Sequence, residues 1–151
     1  MKAISFNCRG TASPDKKLAL RRLLRKEPID LVLLQETLGT TTIITPLLGS
    51  MLLGSHFYAL DVNGQSRGIA LGYNPRSIKM MGAWGGIGFI GADIYSAKLG
   101  SEIRVLNIYG PCHHRDIFWE RLLGTNIIQA DNLIIGGDLN FSLGFSESSG
   151  L

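Results

Sequence analysis

The chain has 151 residues, the length of one ordinary domain, and 45% of them are hydrophobic while 18% are charged. This balance is typical of a folded globular protein and excludes a disordered chain. Nineteen glycines and five prolines, which form no repeat, exclude collagen-like and linker-like chains, and a net charge of +3 is too small to identify a partner.

Two cysteines, Cys8 and Cys112, are too few for a disulfide scaffold, and we interpret both as small apolar fillers. The first residues lack the pattern of a secretory signal, which favours a reducing, intracellular location. Residues 37–60 form the longest uncharged stretch, but Pro46, three glycines and five threonines make it a poor membrane span. We therefore expect no membrane partner.

The first 35 residues predict a β-α-β unit. Residues 3–7 indicate a short buried strand, and Ser13 with Pro14 favours the start of a helix that Pro28 ends. Residues 30–35 are almost continuously apolar, as expected for a strand covered on both faces.

The predicted helix has two different faces. Its apolar face is expected to consist of Leu18, Leu20, Leu23 and Leu24. Residues 15–27 also carry six basic and two acidic side chains, a local charge of +4. We call the six basic residues the basic stripe: Lys16, Lys17, Arg21, Arg22, Arg25 and Lys26. Such a stripe attracts polyanions, although a solvated helix face explains it equally well.

The middle of the chain is less regular. Residues 43–53 fit either a short helix or a loop with apolar anchors. Strands are expected at residues 57–62, 68–73 and 78–81, with a turn at Asn63-Gly64. Residues 80–92 are uncharged and contain five glycines, which suggests closely packed strands.

The last third predicts a hairpin of residues 93–99 and 103–109, a helix over 115–123 and a buried strand at 132–137. Phe118, Leu122 and Leu123 are expected to face inward from the helix. The order of elements indicates a mixed, layered α/β domain without an internal repeat or a linker.

Polar residues follow several of the apolar strands. Asn7, Glu36 and Tyr109 each end a strand, and Asp138 and Asn140 follow the last one. Sites in layered α/β proteins gather at such strand ends. Two carboxylates with amide and phenol groups suit a Mg²⁺-assisted phosphoryl site, because Mg²⁺ prefers hard oxygen ligands.

Two details refine this interpretation. Asp138 and Asn140 are two residues apart and face the same way if the backbone is extended. Gly136 and Gly137 lack side chains and would admit a ligand to the strand end. The alternative dinucleotide motif at residues 86–91 matches G-x-G-x-x-G but lacks a following helix, so we interpret it as strand packing.

The short motifs around these positions occur in a fixed order: Ser5-Phe6-Asn7, Leu34-Gln35-Glu36-Thr37, Asn107-Ile108-Tyr109-Gly110-Pro111 and Gly136-Gly137-Asp138-Leu139-Asn140. This order resembles the endonuclease/exonuclease/phosphatase superfamily, which has a DNase I-like layered α/β sandwich. The local style is most similar to the endonuclease domain of plant LINE-type (non-LTR) retrotransposons: Asn7-Cys8-Arg9-Gly10, residues 20–36, Tyr109-Gly110-Pro111 and Phe118-Trp119.

The resemblance implies a role for each residue. Glu36 would bind Mg²⁺, or Mn²⁺ in its place, with Asn7 supporting the metal. Tyr109 would hydrogen-bond the scissile phosphate, Asp138 would activate the attacking water, and Asn140 would hold a phosphate oxygen. The implied reaction is phosphodiester hydrolysis, with DNA as the partner, which would place the protein in the nucleus.

The same resemblance indicates what is missing. The superfamily ends in a Ser-Asp-His motif that does not occur in this sequence. Residues 1–151 are therefore expected to be a partial domain without its C-terminal part, with impaired catalysis. One sheet face should then expose apolar surface that a partner or a missing segment would complete. The loop pair His113-His114 is not expected to replace the motif histidine.

Two rival functions remain open. The first is a non-catalytic remnant that binds nucleic acid through the basic stripe, in which case neither Glu36 nor Mg²⁺ would affect binding. The second is a phosphoesterase of the same superfamily that acts on lipid or inositol phosphates.

Overall fold

Two four-stranded β-sheets form the centre of the computed structural model, which describes residues 1–61 and 67–140. The strands are β1 (Ala3–Asn7), β2 (Leu31–Gln35), β3 (His56–Leu60), β4 (Ile69–Tyr73), β5 (Ile78–Gly86), β6 (Phe89–Ser96), β7 (Ser101–Tyr109) and β8 (Leu133–Asp138). The helices are α1 (Pro14–Arg25), α2 (Thr41–Met51) and α3 (Arg115–Leu123), followed by a 3₁₀ turn at Asn126–Ile128.

The first sheet has the strand order β1-β2-β4-β3. Strands β1 and β2 are parallel, with Asn7 opposite Gln35, and they form the predicted β-α-β unit with α1. Their carboxyl ends therefore lie side by side, which brings Asn7 next to the residue that follows β2.

The second sheet has the order β5-β6-β7-β8. Strands β6 and β7 form the predicted hairpin. Strands β7 and β8 are parallel, with Tyr109 opposite Asp138. The carboxyl ends of β7 and β8 therefore also lie side by side, and α3 connects the two strands.

The main core lies between the two sheets and contains residues from both, including Leu33, Leu71, Ile94 and Val105. Helices α1 and α2 cover the outer face of the first sheet, and α3 covers the outer face of the second. This arrangement confirms the predicted layered α/β sandwich.

Helix α1 begins as predicted, because the Ser13 hydroxyl accepts a hydrogen bond from the Lys16 backbone N–H at 3.3 Å. Leu20 and Leu24 are buried, but Leu18 is 45% exposed, so its predicted inward position is wrong. Residues two apart on a helix point about 200° apart, which places Leu18 opposite Leu20.

The structure also tests the predictions for α3 and for residues 43–53. Leu122 of α3 is buried, whereas Leu123 is 58% exposed and does not face inward as predicted. Residues 43–53 contain a helix rather than a loop, since α2 buries Ile44, Leu48 and Met51. None of the helices in residues 1–61 and 67–140 is long and apolar enough to cross a membrane.

The motif at residues 86–91 forms the tight turn between β5 and β6, as strand packing requires. A Cβ at Gly91 would lie 2.5 Å from the Trp84 side chain, and Gly88 has a φ of 77°. The predicted turn at Asn63-Gly64 and the residues after 140 lie outside the described part of the chain.

Strands β1 and β8 are the outer strands of their sheets. Phe6 on β1 is 41% exposed and Ile135 on β8 is 47% exposed. The expected apolar sheet face, and the partner or segment that would cover it, stay predictions.

Candidate active site

The carboxyl ends of β1, β2, β7 and β8 converge, and four of the predicted site residues form one hydrogen-bonded group there. The Asn7 amide Nδ2 donates to Glu36 Oε1 at 3.1 Å and to Asp138 Oδ2 at 2.8 Å. The Tyr109 hydroxyl donates to the same Glu36 oxygen at 3.1 Å. One amide therefore links two carboxylates that are 102 positions apart in the chain.

The fifth predicted residue, Asn140, joins this group through the backbone. Its N–H donates to Asp138 Oδ1 at 3.1 Å, and its side-chain amide donates to the Gly110 carbonyl at 2.5 Å. Its φ of 50° is left-handed, so the predicted extended backbone at this point is wrong. Asp138 and Asn140 nevertheless line the same cleft of about 520 Å³, which we call the site cleft.

Glu36 also has a left-handed backbone, with a φ of 52°. This conformation costs a non-glycine residue about 1 kcal/mol or more. The Gly10 N–H donates to the Glu36 carbonyl at 2.7 Å and helps to hold the turn. The strained turn directs the Glu36 side chain toward Asn7 and Tyr109.

A buried amide network beneath the site was not predicted from the sequence. Gln35 Nε2 donates to Asn107 Oδ1 at 2.6 Å, and the Asn107 amide donates to the carbonyls of Leu34 and Ala70 at 3.1 and 2.8 Å. Because Asn107 is on β7 and its other partners are in the first sheet, the network fixes the two sheets relative to each other. The signal for it was a polar residue within an apolar strand.

The Arg67 side chain is hydrogen-bonded to the group of site residues, with its guanidinium 3.5 Å from Glu36 Oε2. The Glu36 side chain is 14% exposed and that of Arg67 is 61% exposed. Sequence reasoning missed Arg67, because nothing in its neighbourhood distinguishes it from a surface arginine.

Burial raises the pKa of the Tyr109 hydroxyl, and the negative charge of Glu36 raises it further. The phenol therefore stays protonated at neutral pH and acts as a hydrogen-bond donor. Since it carries one proton, it donates either to Glu36 or to a bound phosphate, but not to both.

The two cysteines differ in their surroundings. Burial, together with the charge of Glu36, raises the pKa of the Cys8 thiol to about 12, so Cys8 acts as the predicted apolar filler. Cys112 is exposed and lines the site cleft with Arg115, which corrects its predicted filler role. Its position was not predicted because the loop after β7 has no periodic pattern.

The glycines before Asp138 serve strand packing first. A Cβ at Gly136 would lie 2.6 Å from Leu33 Cδ1, and one at Gly137 would lie 1.8 Å from the Ile108 carbonyl oxygen. The expectation that both glycines admit a ligand is therefore corrected, although Gly137 does line the site cleft.

The histidines lie apart from the hydrogen-bonded group, as predicted. His56 is exposed, with its ring 5.5 Å from that of Tyr73, and His114 precedes α3 with a φ of 53°. Residues 1–61 and 67–140 contain no cluster of three or more histidine, cysteine or acidic side chains around one point. The donor set is thus two carboxylates and two amides, which suits a hard cation that retains several waters.

A profile of the Endonuclease/Exonuclease/phosphatase family matches residues 4–151. The chain belongs to this family. A comparison with curated protein sequences gives no significant match.

Solved structures show the same fold. The endonuclease domain of TRAS1, a telomere-specific non-LTR retrotransposon, is 15% identical with a TM-score of 0.66, over 93% of this chain and 61% of that one. D. rerio TDP2 complexed with a single-strand DNA product is 15% identical with a TM-score of 0.71, over 93% and 60% of the two chains. The human Nocturnin catalytic domain with bound sulfate is 19% identical with a TM-score of 0.61, over 93% and 64%.

The chain therefore spans about three fifths of the length of these structures. At these identities the likeness concerns the fold. A retrotransposon endonuclease domain, which the motifs also resemble, is among the structures that share it.

Proposed function

We propose that this chain provides the carboxylate–amide half of a Mg²⁺- or Mn²⁺-dependent DNA endonuclease of retrotransposon origin, which hydrolyses phosphodiester bonds. The observation that carries the proposal is the Asn7 amide, which holds Glu36 and Asp138 within 3.1 Å of one donor atom. Two carboxylates that share one amide donor but differ in their other partners suit one metal ligand and one proton acceptor.

Glu36 is the residue that would hold the cation. Its Oε1 accepts hydrogen bonds from Asn7 and Tyr109, whereas among residues 1–61 and 67–140 the partner of Oε2 is the loosely held Arg67 at 3.5 Å. Oε2 is thus the oxygen with free lone pairs. When bound, Mg²⁺ would stabilise the charge that develops on the scissile phosphate.

Asp138 is the proposed proton acceptor for the attacking water. Asn7 holds its Oδ2 and the Asn140 N–H holds its Oδ1, so the carboxylate is fixed in orientation. An anion held by two neutral donors keeps lone pairs that accept a proton from a water in the cleft.

Tyr109 and Asn140 would hold the phosphate. The Tyr109 hydroxyl, which now donates its hydrogen bond to Glu36, would donate it to a phosphate oxygen when substrate binds. The Asn140 amide donates to the Gly110 carbonyl and also contacts the Tyr109 hydroxyl, and it would donate to another phosphate oxygen once Tyr109 turns to the phosphate.

The basic stripe supports DNA as the substrate. The Lys16 ammonium donates to the Arg9 carbonyl, and the Arg9 N–H donates to Asn7 Oδ1 at 3.0 Å. The amino end of α1 therefore adjoins the site, and its exposed basic residues extend away from it. A polyanion that entered the cleft would follow this surface.

The test is nicking of supercoiled plasmid with Mg²⁺, by the wild-type chain, Glu36→Gln and Asp138→Asn. We expect each variant to lower the rate by at least about 100-fold, because each removes one charged oxygen from the reaction. Glu102→Gln and Asp131→Asn are the matched controls, since both residues are exposed and lie near the amino ends of β7 and β8, opposite the ends that carry the site.

Equal nicking by the wild type and both site variants, with all proteins folded, would contradict the hydrolase proposal. DNA binding that falls with salt but does not respond to Glu36→Gln or Mg²⁺ would favour the rival binding function of the basic stripe. Hydrolysis of inositol phosphates without nicking would favour the phosphoesterase alternative.

A further inference from the structure

A second cavity lies on the opposite side of β7 from the core between the sheets. It has a volume of about 340 Å³ and lies between α3 and the tight turn that joins β5 and β6. We call it the α3 pocket. Its walls include Ile87, Phe89, Pro111, Ile117 and Phe118.

The walls of the α3 pocket are mainly apolar and aromatic, which is the composition of small-molecule sites. Ile87, at the tip of the turn, is 74% exposed, and Ile117 on α3 is 43% exposed. Turn tips normally carry polar residues, so an exposed isoleucine at this position is unusual. The two isoleucines form walls that are not needed to fill the core.

The shape of the pocket depends on a close approach of backbone. A Cβ at Gly88 would lie 2.9 Å from the Tyr109 carbonyl oxygen and 3.1 Å from the Phe118 ring. The Tyr109 N–H donates to the Gly88 carbonyl at 2.7 Å. The turn is thus attached to the strand end that carries Tyr109, and the pocket has a fixed position relative to the site.

The α3 pocket and the site cleft share one loop. Cys112 and Arg115 line the site cleft, while Pro111 and His114 line the α3 pocket. A nucleic-acid strand whose phosphate lies at Asp138 therefore reaches the α3 pocket by crossing this loop.

The charges of the residues that line the α3 pocket also suit a nucleic-acid strand. Within the described part of the chain, its lining residues include the cation Arg121 and His114 but no carboxylate. An apolar interior with a cationic rim complements an aromatic ring attached to a phosphate backbone.

We propose that the α3 pocket binds one nucleobase of a single-stranded stretch next to the phosphodiester held at the site. Phe118 and Phe89 would contact the ring, and Ile87 would cover its other side. The proposal rests on the proposed function for the position of the phosphate, but base binding itself needs no hydrolysis.

The test compares two fluorescent oligonucleotides of equal length and charge, an oligothymidylate and its fully abasic counterpart. Binding is measured by anisotropy in EDTA, so that hydrolysis does not occur. We expect the wild type to bind the oligothymidylate at least about fivefold more tightly than the abasic strand. Ile87→Ser and Ile117→Ser should each reduce this preference to less than about twofold and leave abasic binding unchanged.

Leu53→Ser is the matched control, because Leu53 is 78% exposed and lies beside a different cavity. It should keep the base preference. Equal binding of both strands by the wild type, or a preference that survives both pocket variants, would overturn the proposal. Self-association of the wild type that Ile87→Ser abolishes, without base preference, would overturn it in favour of a second copy as the occupant. Base preference without nicking would refute only the proposed hydrolase function.

Discussion

Strand β2 has a carboxylate at each end, and the two carboxylates have different surroundings. Asp30 precedes the strand and is 2% exposed, while Glu36 follows it with a side chain that is 14% exposed. Both accept several hydrogen bonds from distant parts of the chain. They differ in how completely the protein satisfies their oxygens.

Asp30 is surrounded by donors. It accepts from the Lys2 N–H at 2.7 Å, from the Ser77 hydroxyl at 2.6 Å and from the Lys98 ammonium at 2.8 and 3.0 Å. Burial acts to raise the pKa of Asp30, but the hydrogen bonds from Lys98, Ser77 and Lys2 outweigh it and lower the pKa to about 2. We call this group the Asp30 clasp; it joins the first sheet to the turn after β6.

Glu36 has two neutral donors on one oxygen and a distant arginine on the other, in a strained backbone conformation. A carboxylate with satisfied oxygens stabilises the fold, whereas one with unused lone pairs at a cleft remains available to a cation or a proton. The comparison teaches that the number of free lone pairs, rather than burial, separates the structural acid from the candidate catalytic one.

Asp30→Ala is expected to have the largest effect on stability. It removes the acceptor of four hydrogen-bond contacts and leaves a buried hydroxyl and N–H unpaired, at a cost of about 3 kcal/mol of unfolding free energy. Urea unfolding measures this loss. Asp93→Ala is the matched control, since Asp93 pairs with Arg104 but is 43% exposed and should lose about 1 kcal/mol or less. A loss at Asp30 no larger than that at Asp93 would contradict a structural role for the clasp.

The Asp30 clasp also predicts how stability depends on acid. The pKa of Asp30 is lower in the folded chain than its ordinary 3.8, so its stabilisation is complete above about pH 4 and is lost as pH falls through about 2. A shift of this size corresponds to about 2 kcal/mol. Urea midpoints from pH 2 to 7, for the wild type and Asp30→Asn, measure it as a difference between the two proteins. A difference that stays constant across this range would refute the lowered pKa.

The positions of the polar residues at the strand ends could be predicted from the sequence, because the end of a strand is a local feature. Apolar runs locate the ends of β1, β2 and β8, and the polar residues after them then converge through the two parallel pairs. The Asp30 clasp could not be predicted, because Lys98 is 68 positions away in the turn after β6 and nothing local connects them. The same limit applies to Arg67 and Asn107.

Backbone conformation was the other feature beyond local reasoning. The pattern at residues 138–140 suggested an extended chain, but the Asn140 N–H turns back to Asp138 and its φ is 50°. Leu18 and Leu123 were predicted wrongly because the position of a leucine around the helix axis, and not its hydrophobicity alone, decides whether it faces the core.

Tyr109→Phe should have a smaller effect, and on activity rather than on stability. The variant removes the hydroxyl that would donate a hydrogen bond to the phosphate, which we expect to slow nicking about tenfold. The unfolding free energy should change by less than about 1 kcal/mol, because Glu36 retains Asn7 as a donor. Tyr95→Phe, at an exposed position on β6, is the matched control. Unchanged nicking by Tyr109→Phe would exclude the phenol from phosphate binding.

Glu36→Gly gives the smallest expected change in stability and the sharpest contrast with Asp30. Glycine relieves the left-handed strain at a φ of 52°, worth about 1 kcal/mol, while the hydrogen bonds from Asn7 and Tyr109 are lost. Asn7 lines the site cleft and Tyr109 lines the α3 pocket, so water replaces the lost acceptor at both donors and the net change should stay within about 0.5 kcal/mol of zero. Nicking should nevertheless disappear. If urea unfolding showed a loss as large as that of Asp30→Ala, Glu36 would also be a structural acid, and the distinction between the two ends of β2 would fail.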